Sequence, residues 1–434
     1  MANSTSGSRR QPFRIFPQNS NASNTFAYTR GTPTVQFALP DSTLLIEPGS
    51  LRLNYTIKGS NLTGDNLAKV RIDPNTGCAS LWDQITLSSY RSRQNLEQIQ
   101  HYNKLLGGVI RPLHDGDDFL AAIQTEQGST NLNGCTNTGV ITKMFDAAGY
   151  DLSQQLYSGL LSSGVPIPLS SEYGIGGLII QLNLVSDSQF FMMLDADGGS
   201  PTYEISDVSL TGVFYDPSPA EEAILRKGGA GGFSYNSYSS LFGVVNAQTS
   251  QQTFNLGLDG VISSFLVMSP STFQNNYLQM GNQPLRLTDN VGNGQIITRL
   301  SWTKDGRLHP NEFVLTQDQS PQEQNGALMN LQYLDSLRRF KDITSCSINN
   351  TTQMPQLQQT LDSAFQGGDY NNLSYGVGIA MDRISEAGEN YVRSPWGMVV
   401  QALGLTGANQ NNLYLFVLHR SVIHYGGKGI AIED

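Results

Sequence analysis

Cysteine is scarce in this 434-residue chain. Cys78, Cys135 and Cys346 stand far apart, with no C-x-x-C pair, which excludes a disulfide-stapled scaffold and thiolate metal spacing. They read as free thiols of a protein that folds inside a cell. Charge is low as well: charged residues make up 14 %, and 26 Lys+Arg against 36 Asp+Glu leave a net charge of -10. Such a surface offers no broad electrostatic footprint for nucleic acid. Long apolar runs are missing, since no segment approaches the roughly 18 residues of a membrane span. The opening MANSTSGSRRQPFRIFPQNS lacks the apolar stretch of about 7 to 15 residues in a secretory signal. A soluble, non-secreted chain is expected, so the N-x-S/T triplets at Asn3, Asn21, Asn54, Asn61, Asn349, Asn350 and Asn372 read as products of an Asn/Ser/Thr-rich composition.

Chemistry-bearing patterns are equally thin. Only five histidines occur, and His419 and His424 are not spaced as a ligand pair on one strand face. His114 with Asp115, Asp117 and Asp118, and the turn Asp195-Ala196-Asp197-Gly198, fall short of a calcium loop or zinc set and read as solvated acidic turns. G-x-S-x-G and G-x-x-x-x-G-K-[ST] are absent. Glu221 and Glu222 sit where a helix N-terminus favours them. Arg91, Arg93 and Arg111 are balanced by Asp83 and Glu97. No catalytic residue, cofactor or metal is expected, and the chain does not read as an enzyme.

What is present is β pattern. Short segments punctuated by Gly, Pro, Asn and Asp recur from Val35 onward: Thr34 to Leu39, Ser50 to Ile57, Gln84 to Leu87, Leu178 to Val185 and Val208 to Phe214. Spacings of three and four in Gln94 to Leu106 (Leu96, Ile99, Tyr102, Leu105, Leu106) predict an amphipathic helix. The polar stretch Pro112 to Gly164 reads as an elaborated surface loop. After Asp216-Pro217-Ser218-Pro219, a short helix over Ala220 to Lys227 runs into Gly228 to Gly232, the expected boundary. The second half repeats the plan. It has strands at Phe233 to Asn246, Thr253 to Leu258, Ile262 to Met268 and Ile296 to Trp302, a helix at Asn325 to Phe340, and an apolar run Leu413 to Leu418 that mirrors Leu178 to Val185. The division is residues 1–29 as an N-terminal arm, 30–217 and 233–434 as β-sandwiches, and 218–232 as linker. Within the arm, Arg9, Arg10 and Arg14 surround Phe13, Ile15 and Phe16, a composition that orders on a partner.

The run LWDQITLSSYRSRQNLEQIQHYNKLL, then VPIPLSSEYGIGGLIIQLNLV and YEISDVSLTGVFYDP, resembles the first domain of double jelly-roll major capsid proteins of tailless icosahedral DNA viruses, of the virophage and polinton-like type. The resemblance spans residues 30–220. It implies an all-β chain of two tandem jelly rolls, with homotrimeric pseudo-hexagonal capsomers that tile an icosahedral shell. The implied partners are neighbouring capsomers and minor capsid or penton proteins, with an internal membrane or genome met by the N-terminal arm. The implied place is the virion, assembled inside the host cell. The rivals are a secreted β-sandwich that binds or processes carbohydrate, disfavoured by the missing signal and acid pair, and a receptor-binding fibre, disfavoured by the missing short repeats.

Overall fold

The computed structural model describes residues 10–62, 67, 70–72, 77–106, 138–193, 199–228, 233–245, 251–270, 296–308, 314–316, 377–381, 388–403, 411–426 and 429–433. In the first half the main strands are β1 (Arg10–Ile15), β2 (Thr34–Leu39), β3 (Arg52–Leu62), β4 (Trp82–Ser89), β5 (Asn95–Gln100), β6 (Tyr150–Gln155), β7 (Leu178–Leu184) and β8 (Gly199–Tyr215). They form two antiparallel sheets ordered β1-β8-β3-β6 and β2-β7-β4-β5. First pairs with last, second with seventh, third with sixth and fourth with fifth. An antiparallel ribbon rolled over on itself has this order, the connectivity of a jelly roll. Among the described residues, three α-helices interrupt it, α1 (Tyr102–Leu105), α2 (Thr138–Met144) and α3 (Asp187–Phe190).

Alternation of side chains places the core. Val35, Phe37 and Leu39 on β2, Leu53, Tyr55 and Ile57 on β3, and Ile85 and Leu87 on β4 are all buried. Their neighbours in sequence are mostly half-exposed, as a pleated strand with one wet face requires. Each such aliphatic or aromatic side chain contributes on the order of 1.5 to 3 kcal/mol on burial. The long β8 changes register against β3 between Ser206 and Ser209, with Asp207 at φ 53°. This bulge bends the strand so that one segment serves both β3 and β1.

The second half contains β9 (Phe233–Val245), β10 (Gln251–Phe254), β11 (Val261–Pro270), β12 (Ile296–Lys304), β13 (Arg307–Leu308), β14 (Val377–Ala380), β15 (Trp396–Leu403) and β16 (Asn411–Gly426). Its sheets are ordered β9-β16-β11-β14 and β10-β15-β12-β13, the order of the first half with every strand advanced by eight. Val314–Thr316 extends the β13 side of β12, and Gly429–Glu433 pairs with the end of β16. Helix α4 (Pro219–Gly228) lies between the halves. At its start the Ser218 N–H donates to Glu221 Oε2 (2.7 Å) and the Glu221 N–H to Ser218 Oγ (3.3 Å), a capping box. The chain is all-β, two tandem jelly rolls with short helices in the connections.

Several expectations change. The helix over Gln94 to Leu106 is strand β5 followed by the single turn α1. A register shift against β4 between Leu87 and Ser88 leaves Leu96 as an extra residue; the break in alternation buries both Leu96 and Ile99 and produces a helical spacing in a strand. The loop at 112–164 contains α2 and β6, and Leu152, Leu156, Tyr157, Leu160 and Leu161 are buried. Leu413 to Leu418 belongs to β16, an eighth strand, so its counterpart is β8; Leu178 to Val185 is matched by β15. Thr253 to Leu258 shortens to Gln251–Phe254. The helix at Asn325 to Phe340, His114 with its aspartates, and the Asp195 to Gly198 turn lie outside the described residues.

Candidate functional site at the seam between the rolls

Strand β5 ends one sheet of the first roll and β9 ends one sheet of the second. These two edges meet, and side chains join them. Tyr235 Oη donates to Leu96 O (2.9 Å), the Tyr238 N–H to Glu97 Oε1 (2.8 Å), and the Gln100 N–H to Ser240 Oγ (2.8 Å). The partners advance together along both strands, so the edges run in the same direction. The packed apolar cluster of the first roll continues across them into Phe233, Tyr235, Tyr238, Tyr414, Phe416 and Leu418.

Glu97 is the polar centre of this seam. It is 4 % exposed. Oε1 accepts from the Gly159 N–H (3.1 Å), Ser237 Oγ (3.2 Å) and the Tyr238 N–H, while Oε2 accepts from the Leu160 N–H (3.1 Å). One carboxylate thus joins β5, the segment after β6, and β9. Burial pushes its pKa above the usual glutamate range, against the pull of these donors. Close approach is part of the design: a Cβ on Gly159 would overlap the Asn236 carbonyl oxygen. Beyond Glu97, the His101 ring packs edge-on against Tyr414 (4.7 Å between centroids) and near Phe242 (5.6 Å), and Lys104 Nζ lies 5.6 Å from the Tyr414 centroid. Burial holds the His101 imidazole below its usual pKa, although Asp83 opposes this.

Sequence reasoning gives Glu97 no role beyond balancing the charge of nearby arginines. The signal was present: on a strand, Glu97 and Ile99 share one face. The residues singled out for the arm are divided by the structure. Arg9 lies outside the described residues. Arg10 pairs with Glu47 (2.9 Å), Phe13 stacks on Phe214 (3.8 Å between centroids) over Gly212, and Arg14 Nε donates to Ser209 Oγ (3.0 Å). Phe13 and Ile15 pack against the core, and Phe26 further along is 1 % exposed. Residues 10–15 are therefore the first strand of the first roll rather than an arm apart from either core. Alternation in R-Q-P-F-R-I and six ladder partners on β8 order them within the chain. Phe16 stays 59 % exposed beside the Arg14 guanidinium.

Among the described residues, no group of three or more His, Cys, Asp or Glu side chains is arranged to hold a metal ion. Ser239 and His419 approach within hydrogen-bond distance (2.9 Å), with the imidazole buried.

No family model matches the chain, and no curated protein matches its sequence. Solved structures do. The mavirus major capsid protein superposes with a TM-score of 0.53 at 10% identity, over 97% of this chain and 90% of that one. The Faustovirus major capsid protein gives 0.57 at 7%, over 95% and 90%. A quasi-atomic model of the PBCV-1 virus capsid gives 0.55 at 10%, over 99% and 97%. The fold is a double jelly roll. Shared end to end at so little identity, a double jelly roll rests on strand order and apolar alternation.

Proposed function

We propose that this chain is the major structural subunit of a viral capsid, forming homotrimeric pseudo-hexagonal capsomers that tile an icosahedral shell. The observation that carries the reading is the seam. Two rolls of one strand order, fixed side by side by a continuous apolar core and the Glu97 hydrogen bonds, make a double wedge. Three double wedges place six similar rolls around an axis, which suits a hexagonal lattice. The end-to-end likeness to capsid proteins supports it. The role is structural and involves no catalytic step or cofactor. Its partners are further copies, neighbouring capsomers, and minor capsid or penton proteins, and its location is the virion. With Arg10 to Ile15 engaged in the first roll, contact with a membrane or genome falls to the residues before β1, Arg9 among them.

The test is the mass of the purified protein by light scattering, together with negative-stain images. The expected result is a particle of three times the chain mass with a hexagonal outline. A monodisperse monomer at high micromolar concentration overturns the reading.

A further inference from the structure

Where β5 ends, one residue with an unusual backbone joins it to the second roll. His101 lies in the left-handed region at φ 54° and ψ 42°, which a residue with a Cβ adopts when its surroundings fix it. Here they do. Its carbonyl oxygen accepts from the Lys104 N–H (2.9 Å) and the Leu105 N–H (3.3 Å), so the turn of α1 pins it. The ring is thereby carried across onto Tyr414 and beside Phe242. Just before it, the Gln100 N–H donates to Ser240 Oγ. Phe242 is 48 % exposed at this place and the His101 side chain 29 %, so solvent protons reach the imidazole.

This end of the seam accommodates a new charge poorly. Among the described residues, the charged groups acting on His101 are Asp83 from β4 and Lys104 from α1, while β9 and β16 face it with the Phe242 and Tyr414 rings. Asp83 Oδ1 is 3.7 Å from Nδ1, beyond hydrogen-bond length, and its side chain is 45 % exposed, so water screens the attraction. Lys104 is buried, and its Nζ lies 5.6 Å from the centroid of the same Tyr414 ring that His101 packs on. A protonated imidazole therefore places a second cation against one ring, inside an apolar contact. Burial opposes the charged ring most, Asp83 favours it and Lys104 opposes it, and the balance lowers the folded pKa.

We propose that His101 is an acid-sensitive latch: neutral, it holds this end of the seam shut, and protonated, it loosens β5 from β9 there while both rolls keep their fold. The sign follows from linkage. A depressed folded value gives stabilisation that is present above the ordinary 6.5 and lost as pH falls through the folded value. The opening is local, because the rest of the contact is held separately by Glu97 and the apolar cluster. Glu97 cannot produce the effect, since its raised pKa makes it more stabilising as pH falls. The latch is a property of the single chain and stands or falls independently of the capsid reading.

The test is hydrogen–deuterium exchange of the full chain at about pH 7.5 and about pH 5.5, corrected for the intrinsic pH dependence of amide exchange. In wild type, amides of β5 and β9, Gln100 above all, should exchange at least about threefold faster at the lower pH, while those of β2 and β7 keep their protection. His101→Asn supplies a residue that tolerates the left-handed conformation and gains no proton, so its seam should be equally protected at both pH values. Asp83→Asn, on a half-exposed side chain, removes the anion that favours the charged ring and should enlarge the acid effect. Three results overturn the proposal: no acid effect in wild type, the same effect in His101→Asn, or loss of protection on β2 and β7 together with the seam. If His101→Asn does not fold, Asp83→Asn decides, and an acid effect no larger than that of wild type overturns the latch.

Discussion

The two rolls share a strand order but differ in how they settle buried polar groups. In the first, the Trp82 indole donates to Gln154 Oε1 (3.0 Å), the Tyr55 hydroxyl reaches the same oxygen (3.3 Å), and the two rings meet edge to face. In the second, Trp302 and Trp396 pack against each other with centroids 4.9 Å apart, and both indole N–H groups are buried without an acceptor among the described residues. The connectivity therefore does not depend on any one polar network. Apolar alternation and turn placement specify the roll, and each copy has resolved its interior separately. Whatever the rolls hold in common should fail when a strand is lost, and whatever they hold apart should respond to single side chains.

The largest effect is expected from removing a strand. Deleting residues 1–15 takes away β1, exposing Phe214 and the flank of β8. The first roll, and through the shared apolar cluster the second, should lose cooperative folding, read as loss of a sharp thermal transition. Deleting residues 1–9 should leave the transition in place. A truncation to residue 15 that still melts like wild type would return this segment to the status of a dispensable arm. In the second roll, removing Gly429–Glu433, which among the described residues pairs with the end of β16 alone, should cost far less.

The seam comes next. Glu97→Ala orphans the Gly159, Leu160 and Tyr238 N–H groups in a buried site, and each unsatisfied donor costs about 1 to 3 kcal/mol, non-additively. A loss of about 3 to 5 kcal/mol in denaturant unfolding is expected, the range for stripping one partner from a buried charged network. Glu97→Gln keeps one acceptor oxygen and should lose less. Equal losses in the two variants would mean that packing volume, not acceptance, is what Glu97 supplies.

A smaller difference separates the tryptophans. Trp82→Phe and Trp302→Phe remove similar volume, but only the first breaks a hydrogen bond to Gln154. Trp82→Phe should cost about 1 kcal/mol more, measured by parallel urea titrations. Identical costs would show that the indole N–H of Trp82 contributes nothing net.

How much of this was legible follows from which periods survive in the sequence. Thr34 to Leu39 and Gln84 to Leu87 alternate without interruption and were readable as strands. Leu96 to Ile99 was not, because an extra residue in the ladder turns period two into an apparent spacing of three, and neighbours on β4 resolve it where local pattern cannot. Arg10 to Ile15 alternates as well, but lies in a polar terminus whose partner is about 200 positions away, at Leu210 to Tyr215; tertiary pairing overrode composition there. β6 was hidden in the same way inside a polar stretch. For the seam, apolar content was readable and geometry was not. Glu97 becomes conspicuous only once β5 is a strand, because a carboxylate then sits on the same face as Ile99.

The smallest expected effect is a pH dependence that belongs to the seam alone. Burial is the dominant influence on Glu97 and raises its folded pKa above the ordinary value of 4.5, with the surrounding donors pulling the other way. The folded state therefore holds this proton more tightly than the unfolded chain does. By linkage, the stabilisation is fully present below the unfolded value and is lost as pH rises through the folded one. His101 works in the opposite sense: burial depresses its pKa below 6.5, so its contribution is present above that value and lost as pH falls through the depressed one. Comparing wild type with Glu97→Gln isolates the first group, because His101 titrates in both proteins. Across about pH 4.5 to 7, the stability advantage of wild type over Glu97→Gln should shrink as pH rises, read from urea midpoints at each pH. An advantage that grows with pH would place the folded pKa of Glu97 below the ordinary value. The four hydrogen bonds would then outweigh burial, and the seam would be held by a carboxylate that prefers its charge.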